Sequence, residues 1–231
     1  MPAKLPHRWH GGWVVSISFL LIFCLSGLVR SELNFERMLS MLTQQWGANV
    51  GARFSAWQNL LVGLRSANDT ERLRKVNDFF NRQVTFGDDQ GIWNQGDYWA
   101  TPLETLGRGA GDCEDFVIAK YFSLKAAGVA SEKLRLIYVR AKIGSGDAAA
   151  SQAHMVLAYY AQPESEPLVL DNLIGDMRPA SRRPDLVPVF SFNSEGVFTG
   201  VSAKEATPDA GVGRLSRWED LLKRAKVEGF N

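Results

Sequence analysis

Cysteine and histidine are nearly absent from this 231-residue chain, which has two of the first and three of the second. Cys24, His7 and His10 all fall within the first thirty residues, so the remainder holds one cysteine, Cys113, and one histidine, His154. A lone thiol cannot form an internal disulfide, which excludes the stapled scaffolds of small exported domains. An excess of basic charge is missing as well. The formal charge is +1, and setting aside the first thirty residues removes Lys4, Arg8 and Arg30 and no acid, which brings it to −2. A nucleic-acid-binding surface is therefore not indicated.

The opening thirty residues read as an export segment. Lys4 and Arg8 precede an uncharged run from Val14 to Val29, and Arg30 ends it, the pattern of a basic region followed by an apolar one. The run is short for a membrane span and no A-x-A cleavage site follows, so a retained anchor stays open beside a cleaved signal. Cys24 follows Leu21, Ile22 and Phe23 rather than small residues, and reads as apolar filler. Residues 31–231 are expected to form a single domain, about the right length for one sizeable core.

The first part of that domain is helical in pattern. Phe35, Met38, Leu39 and Leu42, then Trp57, Leu60, Leu61 and Leu64, then Leu73, Val76, Phe79 and Phe80 recur at three- and four-residue spacing. Asn34, Asn68 and Asp69 stand where helix caps belong. Residues 84–111 show neither helical nor strand period and read as a long surface loop. A new helix opens at Gly111-Asp112-Cys113-Glu114-Asp115, continues through Phe116, Val117, Tyr121, Phe122 and Leu124, and meets a stop at Gly128.

Beyond it the period changes to two. Leu134–Arg140, His154–Tyr160 and Leu168–Leu170 read as three consecutive antiparallel strands, joined by turn-rich segments at 142–152 and 161–167. His154 would begin the second strand and Asp171 would end the third, which sets them side by side. Residues 187–192 and 196–202 read as two further strands. Leu215, Trp218, Leu221 and Leu222 mark a last amphipathic helix with Arg214, Arg217, Lys223, Arg224 and Lys226 on a solvated basic face.

Chemistry follows from this placement. A helix N-terminus carries partial positive charge and unpaired N–H groups, which lower a thiol pKa and can donate to an oxyanion. His154 can take the thiol proton while Asp171 holds its other ring nitrogen. Each residue has a plainer explanation: Cys113 as a small buried hydrophobe, His154 as a satisfied polar residue, Asp171-Asn172 as turn chemistry. The set outweighs its members because the order Cys, His, Asp is the one a cysteine nucleophile with base and orienting acid requires.

The helix-opening Gly-Asp-Cys-Glu-Asp run, Ala153-His154-Met155-Val156-Leu157, Val169-Leu170-Asp171-Asn172 and Asp97-Tyr98-Trp99-Ala100-Thr101-Pro102 together resemble the bacterial transglutaminase-like cysteine proteinases. Within that family the likeness is to periplasmic members that release large biofilm adhesins. The resemblance spans about residues 33–200. It implies an α+β, papain-like fold with Cys113 as nucleophile, His154 as base and Asp171 as orienter. It further implies a surface adhesin as substrate, cut between paired alanines near its N-terminus, and sequestration of the protease by a membrane receptor for cyclic di-GMP. A transglutaminase passing the thioester to an amine, and a non-catalytic binding module, are the other readings of the same residues.

Asp112, Glu114 and Asp115 crowd a thiol that must ionise, and like charge disfavours a thiolate. Acids suit the first turn of a helix, yet three in four residues exceed what capping needs. Clustered carboxylates suit a hard cation such as calcium. Calcium dependence is also what the resemblance implies, with Asp112, Glu114 and Asp115 at the matching positions; calcium is expected to order the loop at 94–102 against the helix start, with oxygens from Asn94, Asp97, Tyr98 or Thr101 completing the shell. Trp93 and Trp99 pack the preceding loop down, or Trp99 walls the cleft beside the thiol or lends its indole N–H to the oxyanion.

Overall fold

The computed structural model describes Met1 and residues 33–144, 150–199 and 212–230. The export segment expected at residues 1–30 lies outside the described residues, Met1 apart. No helix among the described residues is long and apolar enough to cross a membrane.

Three helices form first in the chain: α1 (Phe35–Trp46), α2 (Gly51–Gly63) and α3 (Asp69–Gln83). Asn34 caps α1 by accepting from the Arg37 N–H at 2.9 Å, and Asn68 caps α3 by accepting from Glu71 at 3.0 Å. Each satisfies a donor that the helix itself leaves unpaired. Their apolar stripes bury Met38 and Leu42, Phe54, Trp57 and Leu61, and Leu73, Val76 and Phe80. Trp57 is buried completely and still satisfies its indole, which donates to Ser123 Oγ at 2.9 Å. Truncating it to alanine would cost about 3–5 kcal/mol.

Residues 84–111 depart from the expected surface loop. They contain β1 (Thr85–Phe86), α4 (Asp89–Trp93), α5 (Pro102–Arg108) and β2 (Ala110–Gly111), with β1 and β2 paired in parallel. Their elements are too short to show a period, and Trp99, Ala100, Thr101, Leu103 and Leu106 are buried by tertiary packing. Thr101 and Glu104 form a capping box at the start of α5, with Pro102 in the first turn.

The central helix is α6 (Cys113–Ala127), buried on nearly every side from Asp115 to Leu124. A helix apolar all round must lie inside, and α6 packs against α3 on one side and the sheet on the other. Gly128 ends it in the left-handed region at φ 108°, donating to Leu124 and Lys125 carbonyls.

The sheet is six-stranded and antiparallel throughout: β3 (Leu134–Ile143), β4 (Ala150–Tyr159), β5 (Leu168–Leu170), β6 (Arg178–Pro179), β7 (Leu186–Phe192) and β8 (Val197–Thr199), in the order β6-β5-β4-β3-β7-β8. Leu136, Met155, Leu157, Leu170 and Phe192 face the main core with the helices. Ile137, Val139, Val156, Ala158 and Val169 form a second cluster on the other face. The first two strands are longer than expected, because Ile143 pairs with Ala150 and the hairpin takes in small residues that carry no strand signal. His154 consequently sits mid-strand, opposite Val139, and not at the start of its strand.

The last helix, α7 (Val212–Glu228), buries Trp218, Leu221 and Ala225. Its basic residues are not all solvated as expected. Arg224 turns inward, donating to Glu104 Oε2 and Trp99 O at 2.7 Å each and to Tyr98 OH at 3.1 Å. Arg217 pairs with Asp97 at 3.1 Å.

Candidate active site

Cys113 stands in the first turn of α6, on a helix start that tolerates little change. Asp112 is the N-cap, and its Oδ1 accepts from Glu114 and Asp115 N–H groups at 3.1 and 3.3 Å. A side chain at Gly111 would bring a Cβ within 2.6 Å of Asp115 Cβ, so the turn into the helix requires glycine there. Cys113 packs on the main core where α6 meets β4, and the Met155 backbone, one residue from His154, acts to lower the thiol pKa.

His154 and Asp171 meet inside the fold. His154 Nε2 and Asp171 Oδ1 are 2.8 Å apart, with side chains 4% and 0% exposed. The register that pairs Leu157 with Leu170 carries the end of β5 alongside His154. Because Nε2 is engaged with the carboxylate, Nδ1 is the ring nitrogen left for proton exchange.

Asp171 is held at every oxygen. The Leu173 N–H also donates to Oδ1 at 3.0 Å, and Arg183 Nη2 donates to Oδ2 at 2.7 Å. Its backbone carbonyl accepts from Asn81 of α3 at 2.9 Å and from Lys120 Nζ of α6 at 3.2 Å. Burial alone would push the carboxyl up. The hydrogen bond and charge of His154, with Leu173 and Arg183, outweigh burial and hold it at about 2. Burial brings Lys120 down to about 7, partly offset by the charge of Asp171. Arg183, Asn81 and Lys120 carry no motif, and sequence reasoning missed all three.

The Cys113 thiol donates to Glu114 Oε2 at 2.6 Å. Burial, the charge and hydrogen bond of Glu114 and the charge of Asp112 push its pKa well above the ordinary thiol range. The helix N-terminus acts in the opposite sense but does not prevail over carboxylates this close.

The acids divide in an unexpected way. Asp89, Asp112 and Asp115 each offer an oxygen, all within 4.8 Å of one another. Glu114, expected as a ligand with Asp112 and Asp115, turns its carboxylate to the sulfur, and its charge still acts on Asp112 and Asp89. Asp89, at the first residue of α4, stands in the cluster, and the Gly-Asp-Asp run at 87–89 was its only sequence signal. Burial first, then the neighbouring acids, pushes Asp112 up to about 9. Burial likewise raises Asp115 to about 8, against the hydrogen bond from Ala100. Tyr98 N–H donates to Asp89 Oδ2 at 2.6 Å and Ala100 N–H to Asp115 Oδ1 at 2.7 Å. Asp89 Oδ1 is buried without a hydrogen-bond partner among the described residues. Three converging carboxylates with an orphaned buried oxygen fit a hard, oxygen-seeking cation.

The loop oxygens expected around this cluster have other work. Asp97 pairs with Arg217, Thr101 Oγ1 donates to Glu228 Oε1, and Asn94 Oδ1 accepts from Gln90. Trp99 is buried and stacked on Phe192 with centroids 5.7 Å apart, which is a packing role. Trp93 packs on Tyr98 and points its indole N–H at Asp115 Oδ2, 3.4 Å away.

The chain resembles proteins of known structure along most of its length. Legionella pneumophila LapG is 40% identical, covering 84% of this chain and 99% of its own, with a TM-score of 0.68. EGTA-treated and calcium-bound forms of the same protein match at 39% identity, with TM-scores of 0.70 and 0.67. The EGTA-treated form covers 84% of this chain and 99% of its own, and the calcium-bound form 82% and 98%. None of the curated proteins matches. The family model of the bacterial transglutaminase-like cysteine proteinases matches residues 60–184, a stretch that includes Asp89, Cys113, His154 and Asp171. By its sequence match and its mixed helical and antiparallel architecture, the chain belongs to the bacterial transglutaminase-like cysteine proteinases.

Proposed function

We propose that this protein is a calcium-dependent cysteine endopeptidase of the periplasm that releases a large surface adhesin. The observation that carries the reading is the buried 2.8 Å pair of His154 and Asp171, in a chain whose one thiol beyond residue 30 stands in the first turn of α6. Cys113 is the nucleophile, His154 the base and Asp171 the orienting acid. The thiol proton passes to His154 Nδ1 and the sulfur attacks a peptide carbonyl; the imidazolium returns the proton to the departing amine as the C–N bond breaks, and water hydrolyses the thioester left on Cys113. Asp171 keeps the imidazole in one orientation and stabilises its protonated form.

Asp89, Asp112 and Asp115 would hold calcium. When bound, calcium supplies positive charge beside a helix start crowded with carboxylates. Family membership supports the peptidase chemistry, and the calcium-bound LapG structure supports the choice of cation. The substrate is a giant adhesin cut between adjacent alanines near its N-terminus, and a membrane receptor for cyclic di-GMP restrains the enzyme when that messenger is abundant. Residues 1–30 direct export, either as a cleaved signal or as a retained anchor.

The test is cleavage of an N-terminal adhesin fragment bearing an alanine pair. Calcium-loaded protein is expected to cut it, and EGTA or Asp89→Asn to stop the reaction until excess calcium is restored. Cys113→Ala is expected to lose on the order of a millionfold in kcat while staying folded. Undiminished cleavage in EGTA or by Cys113→Ala would refute the mechanism. Incorporation of a labelled amine without cleavage would point to acyl transfer instead.

A further inference from the structure

The side of Asp171 turned away from His154 carries a second built interaction. Arg183 follows the 3-10 turn at Ala180–Arg182, and its side chain is 2% exposed against 0% for Asp171. Nη2 donates to Asp171 Oδ2 at 2.7 Å and also to Asp185 Oδ2 at 2.7 Å, while Nε reaches both Asp185 oxygens at 3.0 and 3.2 Å. The Asp185 side chain is about a third exposed. Arg183 Nη1 is buried with no partner among the described residues. A guanidinium enclosed at the expense of an unmet donor is not there to satisfy its own hydrogen bonds.

We infer that Arg183 is a positioning residue for the Cys113–His154–Asp171 reaction, acting as the permanent counter-charge that keeps Asp171 ionised and aimed at His154. The inference rests on the peptidase reading proposed above.

Charge balance carries the argument. Before the thiol proton moves, Asp171 is an anion in the interior beside a neutral imidazole, and a buried anion needs a fixed partner. The groups facing it are His154 from β4, Arg183, and Lys120 from α6, itself near Asp78 of α3. Lys120 binds the backbone carbonyl and not the carboxylate, and a buried ammonium gives up its proton readily. A guanidinium does not lose its proton at any working pH. Once the proton has passed from Cys113 Sγ to His154 Nδ1, the charges alternate as thiolate, imidazolium, carboxylate and guanidinium. Asp185 shares the guanidinium from its partly exposed side and competes with Asp171 for Nη2.

The pH dependence of Cys113 alkylation by iodoacetamide, measured on the full chain in calcium, tests this without needing the adhesin. Arg183→Gln keeps a donor and removes the charge, so the acid limb is expected to rise by about one pH unit, a tenfold loss of rate on that limb. Arg183→Lys keeps the charge and is expected to hold the limb near its wild-type position. Asp185→Asn removes a competitor for the same guanidinium, and its limb is expected to move down or stay. It also carries the test if Arg183→Gln does not fold, since an upward shift in Asp185→Asn contradicts the assignment. A mere strut would lower the melting temperature in all three variants and leave the profiles superimposed, which would overturn the proposal. If His154→Ala leaves wild-type alkylation unchanged, the peptidase reading itself fails, and Arg183's role with it.

Discussion

Glu114 Oε2 accepts the hydrogen bond of the Cys113 thiol at 2.6 Å, so the residue after the nucleophile holds its proton in this structure. That pairing runs against the chemistry the helix start otherwise favours, because a carboxylate beside a sulfur opposes its ionisation. Burial is the larger cause and Glu114 the next. Glu114→Gln is therefore expected to lower the thiol pKa in part. In EGTA at pH 8, alkylation of Cys113 in this variant should be several-fold faster than in wild type, as for any thiol whose ionised fraction rises. Equal rates would show that burial alone governs the sulfur.

Asp171 makes a definite contribution to acid stability. Its pKa falls from 3.8 to about 2 on folding, so the stabilisation is fully present above pH 4 and is lost as pH falls through the folded value. The shift corresponds to about 2 kcal/mol. Asp171→Asn is expected to cost more, about 3–5 kcal/mol, because it breaks a buried ion pair and leaves Arg183 with Asp185 alone as counter-charge. Urea unfolding followed from pH 7 down to pH 2 checks both values.

Lys120 has the opposite sign. Its pKa falls from 10.5 to about 7 inside the core, so the folded state binds fewer protons than the unfolded chain between these values. Stability gains from this group as pH rises from 7 towards 10, and the cost of burying it is greatest below 7. Lys120→Met is expected to raise stability, more at pH 6 than at pH 9. Asn81 still serves the Asp171 carbonyl in that variant. Thermal melts at the two pH values measure the difference, and a destabilised variant at pH 6 would contradict it.

Arg224 links the last helix to the acidic cluster. It binds Trp99 O, and the flanking Tyr98 and Ala100 N–H groups bind Asp89 and Asp115. Arg224→Ala is expected to cost about 2 kcal/mol, the worth of hydrogen bonds to a charged group. Through the freed loop it should also weaken calcium binding roughly tenfold, a coupling of about 1.4 kcal/mol. Calorimetric titration of calcium into both proteins reads this directly, and equal affinities would show that the loop holds its place without α7.

Much of the scaffold was legible before any coordinates. The three N-terminal helices, the helix opening at Cys113 and the strands at 134, 154, 168 and 187 all appear, because long periodic segments carry their own signal. The segment 84–111 was misread for the complementary reason. Its helices run five and seven residues and its strands two, so packing and not periodicity forms them.

Composition alone confined the cysteine chemistry, since beyond residue 30 one thiol and one imidazole leave no other pairing, and the helix-opening pattern placed the thiol at a helix start. Family membership followed from the same residues. Their surroundings came from tertiary packing: Asp89 joins Asp112 and Asp115, Glu114 binds the sulfur, Arg183 lies behind Asp171, and Arg224 holds the 98–100 loop. Local sequence records propensity and period, which act over a few residues. Charge compensation in a low-dielectric interior is settled between groups such as Arg183 and Asp171, 12 positions apart, and Arg224 and Glu104, 120 apart, and no local pattern encodes it.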